Sequence, residues 1–390
     1  MQPRAVTGLG IVSTVGIGRE AFFRALEAPT MLRDRPIKAV ESFDSKEYPD
    51  AAVAEISEFD PTKYLGDKGL RTLDRLTKML VVTARLAMHD AGLKKDGVFV
   101  QLSPDRVGIC CSNAYGSLEA ITELDRVAVL EDARYINPSK FPNTVSNSAS
   151  GYASIWEDLR ALNVSVSDGN CGALDAIACA DIYLETDRAD ALLVGGAEAM
   201  SEALFLAFRR FGAPIVTATA STLLGEGSAL AVIEPLEKAK ARRAKILGVV
   251  TGYGTAFVAP PNDNSLISAS SESLERAIGN ALEESGTLAE NIDIVASGMA
   301  GYPMFDEAEL DAIERTLGKD VAIGAPKAFL GETLGAGGAM ALGAALAWLD
   351  GAKPIPIVRG KIKERGIETV LVTSLGFYGN ASAIVLRRAK

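Results

Sequence analysis

Hydrophobic positions follow two alternating patterns from one end of the chain to the other. Short apolar runs rich in β-branched residues predict buried strands, whereas apolar residues spaced three or four positions apart predict helices. The predicted strands are residues 106–111, 164–167, 191–194, 229–233, 246–253, 292–296 and 369–373. The predicted helices are residues 70–91, 174–185, 271–284 and 336–349. Strands that alternate with helices in this way are typical of an α/β fold whose sheets are covered on both faces.

A faint internal repeat divides the chain. Residues 190–198 and 368–376 each follow a similar series of helices and strands, and each is predicted to be a buried strand ending in a glycine-containing turn. With 390 residues the chain exceeds the size at which single hydrophobic cores stop growing. We therefore expect two similar α/β halves, residues 1–240 and residues 241–390, with the Lys/Arg-rich segment 237–245 at their junction. This basic segment is predicted to be a solvated helix face.

One uncharged stretch, residues 333–349, invites comparison with a membrane span. It falls just short of the usual length of a spanning helix, lies between Glu332 and Asp350, and consists mostly of glycine and alanine. Small side chains let a helix pack closely against its neighbours. The stretch is therefore predicted to be a buried helix of the core.

Charge and composition argue against several kinds of binding partner and against a metal site. The formal net charge of −10 argues against nucleic acid or an anionic membrane surface as a partner. The cysteines, Cys110, Cys111, Cys171 and Cys179, lack C-x-x-C spacing, and the chain has one histidine, so we expect no metal site. The amino terminus lacks the features of a secretory signal peptide. Together with the cysteine usage, this predicts a cytoplasmic protein.

Several glycine-containing blocks occur in a characteristic order. They are residues 6–13 (VTGLGIVS), 195–198 (GGAE), 224–227 (LGEG), 326–338 (beginning PK) and 374–381 (SLGFYGNA). In this order and spacing they resemble the β-ketoacyl synthase family. The resemblance spans nearly the whole chain and implies the thiolase fold, in which two similar α/β halves stack in five αβαβα layers and the protein is dimeric. Among the family's residues the chain keeps Lys327, Glu226 and Phe377.

The resemblance also implies where catalytic residues would lie. Family members use a cysteine on a strand-to-helix turn to accept an acyl group, and two histidines to decarboxylate the extender and stabilise oxyanions. When the chain is aligned without gaps to the helix after this turn, the cysteine position falls on Asn170. The histidine positions fall on Ser297 and on Glu332, five residues after the retained lysine. All three catalytic residues are replaced, and the remaining histidine, His89, is predicted to be solvated.

The triple replacement leaves three interpretations of function open. The favoured one resembles the chain-length factors, the β subunits of type II polyketide synthases, which pair with an active ketosynthase and carry an amide at the nucleophile turn. An acyl carrier protein bearing phosphopantetheine would then be a further partner, and this chain itself would need no cofactor. An alternative is an independent acyltransferase or condensing enzyme that uses Cys171, and another is an acyl-binding scaffold protein. A decarboxylase is disfavoured because both histidines of that reaction are missing.

The acyl tunnel and the subunit interface have their own candidates. One helical stretch carries a predicted apolar stripe of Leu118, Ile121, Leu124 and Ala128. The resemblance implies that tunnel or interface residues are among Leu118, Ile121, Thr122, Phe141 and Asn143. Residues 137–148, in which prolines favour extended turns, resemble the family's interface. The segment also resembles partners from aryl-polyene pathways, which implies a reduced, polyene-like product over an aromatic one.

Overall fold

The computed structural model describes residues 1–36, 40–213, 215, 222–262 and 267–389, and it has the predicted α/β architecture. The strands are β1 Arg4–Ser13, β2 Gly16–Ile17, β3 Lys94–Lys95, β4 Val98–Phe99, β5 Val107–Ser112, β6 Asn163–Val166, β7 Ala191–Glu198, β8 Gly227–Pro235, β9 Gly248–Phe257, β10 Ile294–Ala296, β11 Ala322–Gly324, β12 Ile357–Arg359, β13 Thr369–Leu375 and β14 Asn380–Arg387. The α-helices are α1 Arg19–Leu26, α2 Thr62–Leu65, α3 Arg75–Asp90, α4 Leu118–Val127, α5 Ser148–Glu157, α6 Gly172–Glu185, α7 Glu202–Arg210, α8 Leu236–Ala241, α9 Ser271–Ser285, α10 Pro303–Leu317, α11 Lys327–Leu330 and α12 Gly337–Asp350.

The sheet topology contains the internal repeat. The first half has the strand order β6-β5-β7-β8-β1, and the second half has the corresponding order β11-β10-β13-β14-β9. In each half three strands are parallel and the last two pair antiparallel. The halves join where β1 pairs with β9. The predicted similarity of the halves is therefore present in strand order and direction, while the division into domains at residue 240 stays a prediction.

The helices complete five layers. Helices α3 and α5 pack on the outer face of the first half, and α9 and α10 cover the outer face of the second. Helices α6 and α12 pack against each other and against strands of both halves, which makes them the central layer. The order helices, sheet, helices, sheet, helices is the predicted αβαβα arrangement.

Paired glycines let the outer helices approach the first strand of each half. A Cβ at Gly10 would lie 2.0 Å from the carbonyl oxygen of Thr83 on α3, and a Cβ at Gly254 would lie 2.1 Å from that of Ala277 on α9. Such distances are far below van der Waals contact, so only glycine fits. Gly10 on β1 and Gly254 on β9 occupy corresponding places in the repeat.

The predicted core helix is α12, and it is buried along nearly its whole length. Its small residues permit close packing: a Cβ at Gly338 would lie 2.8 Å from the Leu174 side chain of α6. Within the described ranges, no helix is long and apolar enough to cross a membrane.

Three local predictions need correction. The helix predicted from residue 70 begins at Arg75, because Leu70–Thr72 forms a separate 3₁₀ turn and the Asp74 side chain caps the helix by accepting from the Thr77 amide at 2.8 Å. The prolines in the segment 137–148 do not produce extended turns. Pro138–Thr144 forms 3₁₀ turns, which suit proline's fixed φ.

The basic segment at the junction is only partly solvated. Lys238 and Lys240 are exposed on α8, and Lys238 forms ion pairs with Asp187 and Asp190. Arg242, in contrast, is largely buried and binds the carboxylate of Glu234. The prediction of a solvated face therefore fails at Arg242, because a buried carboxylate needs a cationic partner.

Candidate functional site

Two turns at equivalent places in the repeat form the centre of the candidate site. The turn Gly169–Cys171 leads into α6, the turn Leu334–Ala336 leads into α12, and the two turns lie against each other. The end of β13 joins them, because the Ser374 hydroxyl donates a 2.7 Å hydrogen bond to the carbonyl oxygen of Asn170. Gly298, next to Ser297, packs against the same Ser374. The predicted catalytic positions thus gather at one end of the central helices.

The nucleophile position holds an amide in a closed environment. Asn170 is buried, and its Oδ1 atom has no hydrogen-bond partner among the described residues. The lone pair of an amide nitrogen is delocalised into the carbonyl group, so the Asn170 side chain is a poor nucleophile and cannot accept an acyl group as a thiolate does. The unpartnered oxygen leaves a buried acceptor whose desolvation is uncompensated within the chain.

Cys171, the alternative nucleophile, is held as a thiol. It is fully buried at the start of α6, and its Sγ donates to the carbonyl oxygen of Ser374 at 3.5 Å. Burial, reinforced by the negative charges of Asp175 and Asp168, holds the pKa of Cys171 well above its ordinary value. These effects outweigh the favourable field of a helix amino terminus, which lowers the pKa of reactive cysteines.

The first histidine position is occupied by a hydroxyl that is already engaged. Ser297 follows β10, and its Oγ donates to the carbonyl oxygen of Gly324 on β11 at 2.9 Å. The amide of Gly298 donates to Glu309 Oε1 at 2.8 Å, and the Thr373 hydroxyl donates to the same oxygen at 2.6 Å. Burial raises the pKa of Glu309 to about 7 despite these bonds.

The second histidine position forms a closed ion pair. Glu332 Oε2 lies 2.6 Å from Lys327 Nζ, and both side chains are buried. The other oxygen, Oε1, accepts the amide of Leu334 at 2.9 Å. Leu334 has a φ of 46°, in the left-handed region that leucine rarely adopts. Both carboxylate oxygens and the lysine ammonium are therefore committed to this turn.

Two further residues that the sequence resemblance singled out shape the surroundings. Glu226 is buried and accepts the amide of Ile56 at 2.8 Å and Arg75 Nε at 2.7 Å, so it ties separate segments together. Phe377 stacks edge-on against Phe305, with ring centroids 5.0 Å apart. Phe377 also borders a small cavity of about 40 Å³ whose other lining residues include Tyr115, Tyr302 and Tyr378.

The tunnel and interface candidates do not gather at one place. Leu118 packs into the apolar cluster that contains Phe377, whereas Ile121 is 37% exposed and Thr122 is exposed. Thr122 borders a cleft of about 720 Å³ whose lining includes five acidic residues, Asp44, Glu47, Glu119, Glu123 and Glu202. Phe141 is exposed, and Asn143 is buried with its Nδ2 donating to the carbonyl oxygen of Thr72 at 2.8 Å. The predicted stripe is therefore split between core and surface. His89 is exposed on α3, as expected.

Sequence reasoning assigned no role to two residues that the site depends on. Ser374 contacts both the Asn170 turn and the Cys171 thiol. Glu198, at the end of β7, accepts the amides of Ala114 at 2.8 Å and Gly335 at 3.2 Å. Both residues lie in the glycine-containing blocks, so membership of these blocks was the sequence feature that could have identified them.

Two family models account for most of the chain. The β-ketoacyl synthase N-terminal domain matches residues 1–239, and the β-ketoacyl synthase C-terminal domain matches residues 247–358. The chain belongs to the β-ketoacyl synthase family. A 3-oxoacyl-[acyl-carrier-protein] synthase 2 of Coxiella burnetii is 28% identical, with 98% of each chain covered. The tetracenomycin polyketide synthase ketoacyl synthase beta subunit of Streptomyces glaucescens is also 28% identical, over 99% of this chain and 98% of its own.

Solved structures agree on the fold of this family member. The ishigamide ketosynthase/chain length factor covers 100% of both chains with a TM-score of 0.88 at 23% identity. A β-ketoacyl synthase from Burkholderia phymatum gives a TM-score of 0.84, also at 23% identity and full coverage. The chain therefore has the thiolase fold that the sequence predicted.

For a β-ketoacyl synthase family member, the charge of the site matters because condensation builds negative charge on a thiolate, an enolate and a tetrahedral oxygen. Here the site is rich in carboxyl groups. Burial and a hydrogen bond with Asp168 raise the pKa of Asp175 to about 8, and burial raises the pKa of Glu198 to about 7. The lysine among them, Lys327, is already neutralised by Glu332. The site therefore offers little stabilisation to a further anion.

Proposed function

We propose that this chain is a non-catalytic subunit, similar to a chain-length factor, that pairs with an active ketosynthase in type II polyketide biosynthesis. Its contribution would be to shape the acyl tunnel and so set product length. One observation carries the proposal: at the three positions aligned with the catalytic residues, Asn170 cannot act as a nucleophile, Ser297 donates to a backbone carbonyl, and Glu332 is closed in an ion pair. The similarity to a polyketide synthase beta subunit supports the same interpretation.

The rate enhancement that the missing catalytic groups would supply is large enough to distinguish an active enzyme from an inactive one. Proton transfer and oxyanion stabilisation each contribute roughly 10²–10⁴-fold to such reactions. The chain has no imidazole at either position, and the nearby thiol of Cys171 is held protonated. If this chain acted alone as a condensing enzyme, it would have none of these contributions to the reaction rate. A partner would therefore have to supply the catalytic groups.

A pairing surface is available beside the site. Strand β6 ends the sheet and, among the residues that the structure describes, has no neighbouring strand on its outer side, so its backbone can accept another strand. Close by in sequence, residues 128–145 carry exposed apolar side chains: Val129, Leu130, Tyr135, Phe141 and Val145. An open strand edge combined with exposed apolar residues favours an obligate partner of the same fold.

Co-expression with an active ketosynthase encoded beside it tests the proposal. We expect a stable one-to-one complex, and Val129→Asp should weaken association by about tenfold or more because it places a charge in the apolar surface. Val98→Asp is the matched control, since Val98 is 65% exposed and Val129 is 72% exposed, but Val98 lies on the β3–β4 hairpin. A chain that forms no complex with such a partner would disprove the proposal and favour an acyl-binding scaffold.

A second candidate is an independent acyltransferase that uses Cys171. The observation that favours it is the equal identity to a 3-oxoacyl-[acyl-carrier-protein] synthase 2. Intact mass after incubation with an acylated carrier protein separates the two: the first proposal expects no acyl-enzyme, and stoichiometric acylation of Cys171 would establish the second. A polyene-like product stays a prediction.

A further inference from the structure

A basic cleft lies at the junction of the two halves, on the side away from the candidate site. It has a volume of about 530 Å³. Among the described residues, its lining contains four cationic side chains and one acidic side chain: Lys240, Arg365, Arg387, Arg388 and Glu368. The chain as a whole has a formal net charge of −10. The cleft is therefore a local positive region on an acidic protein, which attracts anions.

The cleft is separate from the candidate site. Thr369 begins β13 and borders the cleft, whereas Ser374, which contacts the Asn170 turn, lies near the other end of the same strand. A strand rises about 3.3 Å per residue, so Thr369 and Ser374 are roughly 16 Å apart. The positive charge of the cleft is thus not explained by the predicted catalytic positions.

The internal repeat provides a comparison for one cation of the cleft, Arg387. Ala5 on β1 pairs with Glu234 on β8, and Val249 on β9 pairs with Arg387 on β14. Ala5 and Val249 correspond, because each lies five residues before the glycine that contacts the outer helix of its half. Each is also followed two residues later by a strand bulge. Glu234 and Arg387 therefore occupy corresponding places in the two halves.

The two corresponding places differ in how their charge is balanced. Glu234 is buried, and its Oε2 lies 2.7 Å from Arg242 Nε, so the first half contains its own counter-charge. Arg387 is partly buried, and its Nη2 donates to the Thr287 hydroxyl at 2.7 Å and to the Ser285 carbonyl oxygen at 3.5 Å. Within the described ranges, no carboxylate lies within ion-pair distance of Arg387. The second half therefore has a guanidinium without a counter-charge at this place.

Two other guanidinium groups of the cleft are already paired. Arg365 Nη2 lies 2.6 Å from Oδ1 of the buried Asp293, and Arg388 Nε lies 3.0 Å from Glu368 Oε1. Arg387 is thus the arginine of the cleft whose charge an anion from outside the chain would balance.

We propose that this cleft binds a small organic phosphate, whose oxygens accept hydrogen bonds from Arg387 and Lys240. A guanidinium can donate two parallel hydrogen bonds to one phosphate group. The four cations less one carboxylate give the lining a formal charge of +3, which favours a multiply charged phosphate over a singly charged carboxylate. Thr287 and Asn291 add polar groups to the lining.

The apolar part of the lining indicates that the phosphate belongs to a larger molecule. The volume of the cleft is typical of sites for small organic molecules, and inorganic phosphate would leave most of it empty. The wall beside the cations is formed by apolar side chains, Pro3, Leu236, Ile246 and Val249. The site is independent of the proposed subunit role, because none of its lining residues belongs to the predicted catalytic positions or to residues 128–145.

Isothermal titration calorimetry of the full-length protein tests the site, with ADP as the probe because it joins a diphosphate to an organic ring system. We expect one ADP to bind per chain, with an affinity that falls as the salt concentration is raised. Inorganic pyrophosphate should bind more weakly, since it cannot contact the apolar wall, and adenosine should not bind. Absence of ADP binding, or equal affinities for ADP and pyrophosphate, would overturn the proposal.

Variants assign the binding to the cleft. Arg387→Gln should weaken ADP binding by about tenfold or more, because it removes the guanidinium that lacks a counter-charge. Glu368→Gln should tighten binding by about threefold, because it removes the negative charge of the lining, and misfolding would not produce such a gain. Arg276→Gln is the matched control, since Arg276 is exposed on α9 and lies outside the cleft. ADP affinities in Arg387→Gln and Glu368→Gln that equal the control would contradict the assignment.

Discussion

The turns before α6 and before α12 occupy the same place in the two halves, yet their polar groups are arranged in opposite ways. The first turn has a neutral amide whose oxygen lacks a partner, beside a thiol that stays protonated. The second has a carboxylate whose two oxygens bind Lys327 and the Leu334 amide. The first turn contains a buried oxygen without a hydrogen-bond partner among the described residues, whereas the second turn is held by a buried ion pair. We therefore expect the first turn to tolerate substitution and the second turn to depend on Glu332.

The largest loss of stability is expected when the ion pair between Lys327 and Glu332 is broken. Glu332→His removes the carboxylate and leaves Lys327 buried without a counter-charge, so we expect the free energy of unfolding to fall by about 3–5 kcal/mol. Urea unfolding measures this loss. The control is Glu272→His, which breaks the exposed pair with Arg276 on α9 and should cost less than about 0.5 kcal/mol. A loss at Glu332 no larger than the control would show that the ion pair does not stabilise the turn.

A buried carboxyl group in each half should make stability depend on pH. Glu198 and Glu309 each have a folded-state pKa of about 7, above the ordinary value of 4.5. The folded state holds these protons more tightly, so their stabilisation is complete below about pH 4.5 and is lost as pH rises through 7.

We therefore expect the free energy of unfolding to fall between pH 5 and 8, by up to about 3 kcal/mol for each group. Urea titrations at a series of pH values measure the slope. Glu309→Gln should flatten it, because a neutral amide has no proton to lose. A slope unchanged in Glu309→Gln would remove that carboxyl as its source.

The first turn should tolerate change with little effect. Asn170→Cys removes a buried acceptor that has no partner, so we expect stability to change by about 1 kcal/mol or less. It should also create no condensing activity, since Ser297 and Glu332 do not replace two imidazoles. Ketoacyl product formation with malonyl- and acyl-carrier proteins measures this. Product from the single variant would show that the missing histidines do not limit the reaction.

The smallest effect on the chain itself is expected at α4. Thr122→Phe adds bulk on an exposed face and should leave folding unchanged, while it shortens the product of the complex if Thr122 lines the tunnel as predicted. Leu118→Phe is the companion variant, although Leu118 lies in a packed cluster where overpacking costs about 1–3 kcal/mol. Product analysis by mass spectrometry decides, and an unchanged distribution for both variants would remove these residues from the tunnel.

The sequence predicted the architecture because periodicity and glycine blocks report on local backbone and burial. The strand sets, α6, α9 and α12 agree within a few residues, and the repeat at residues 190–198 and 368–376 corresponds to β7 and β13. The break before Arg75 was missed because the Asp74 cap interrupts a stretch whose apolar spacing is continuous. Periodicity alone does not show where a capping side chain ends or begins a helix.

The candidate site was predictable in position but not in interactions. The resemblance predicted Asn170, Ser297 and Glu332 as the catalytic positions, yet the hydrogen bond from Ser297 to Gly324 depends on how β10 and β11 pair. The stripe prediction placed Ile121 with Leu118, whereas the rotation of α4 on its neighbours exposes Ile121. Such contacts come from tertiary packing, which single-sequence patterns do not contain.

The ion pair between Lys327 and Glu332 also bears on how this lineage can change. A single substitution that restores a histidine at residue 332 would strand the lysine and weaken the fold before any activity returned, because the other two catalytic groups would still be missing. Under the proposed function, each intermediate between this chain and a working synthase would be less stable and no more active than the present chain. The buried pair would then oppose the return of catalysis by single substitutions.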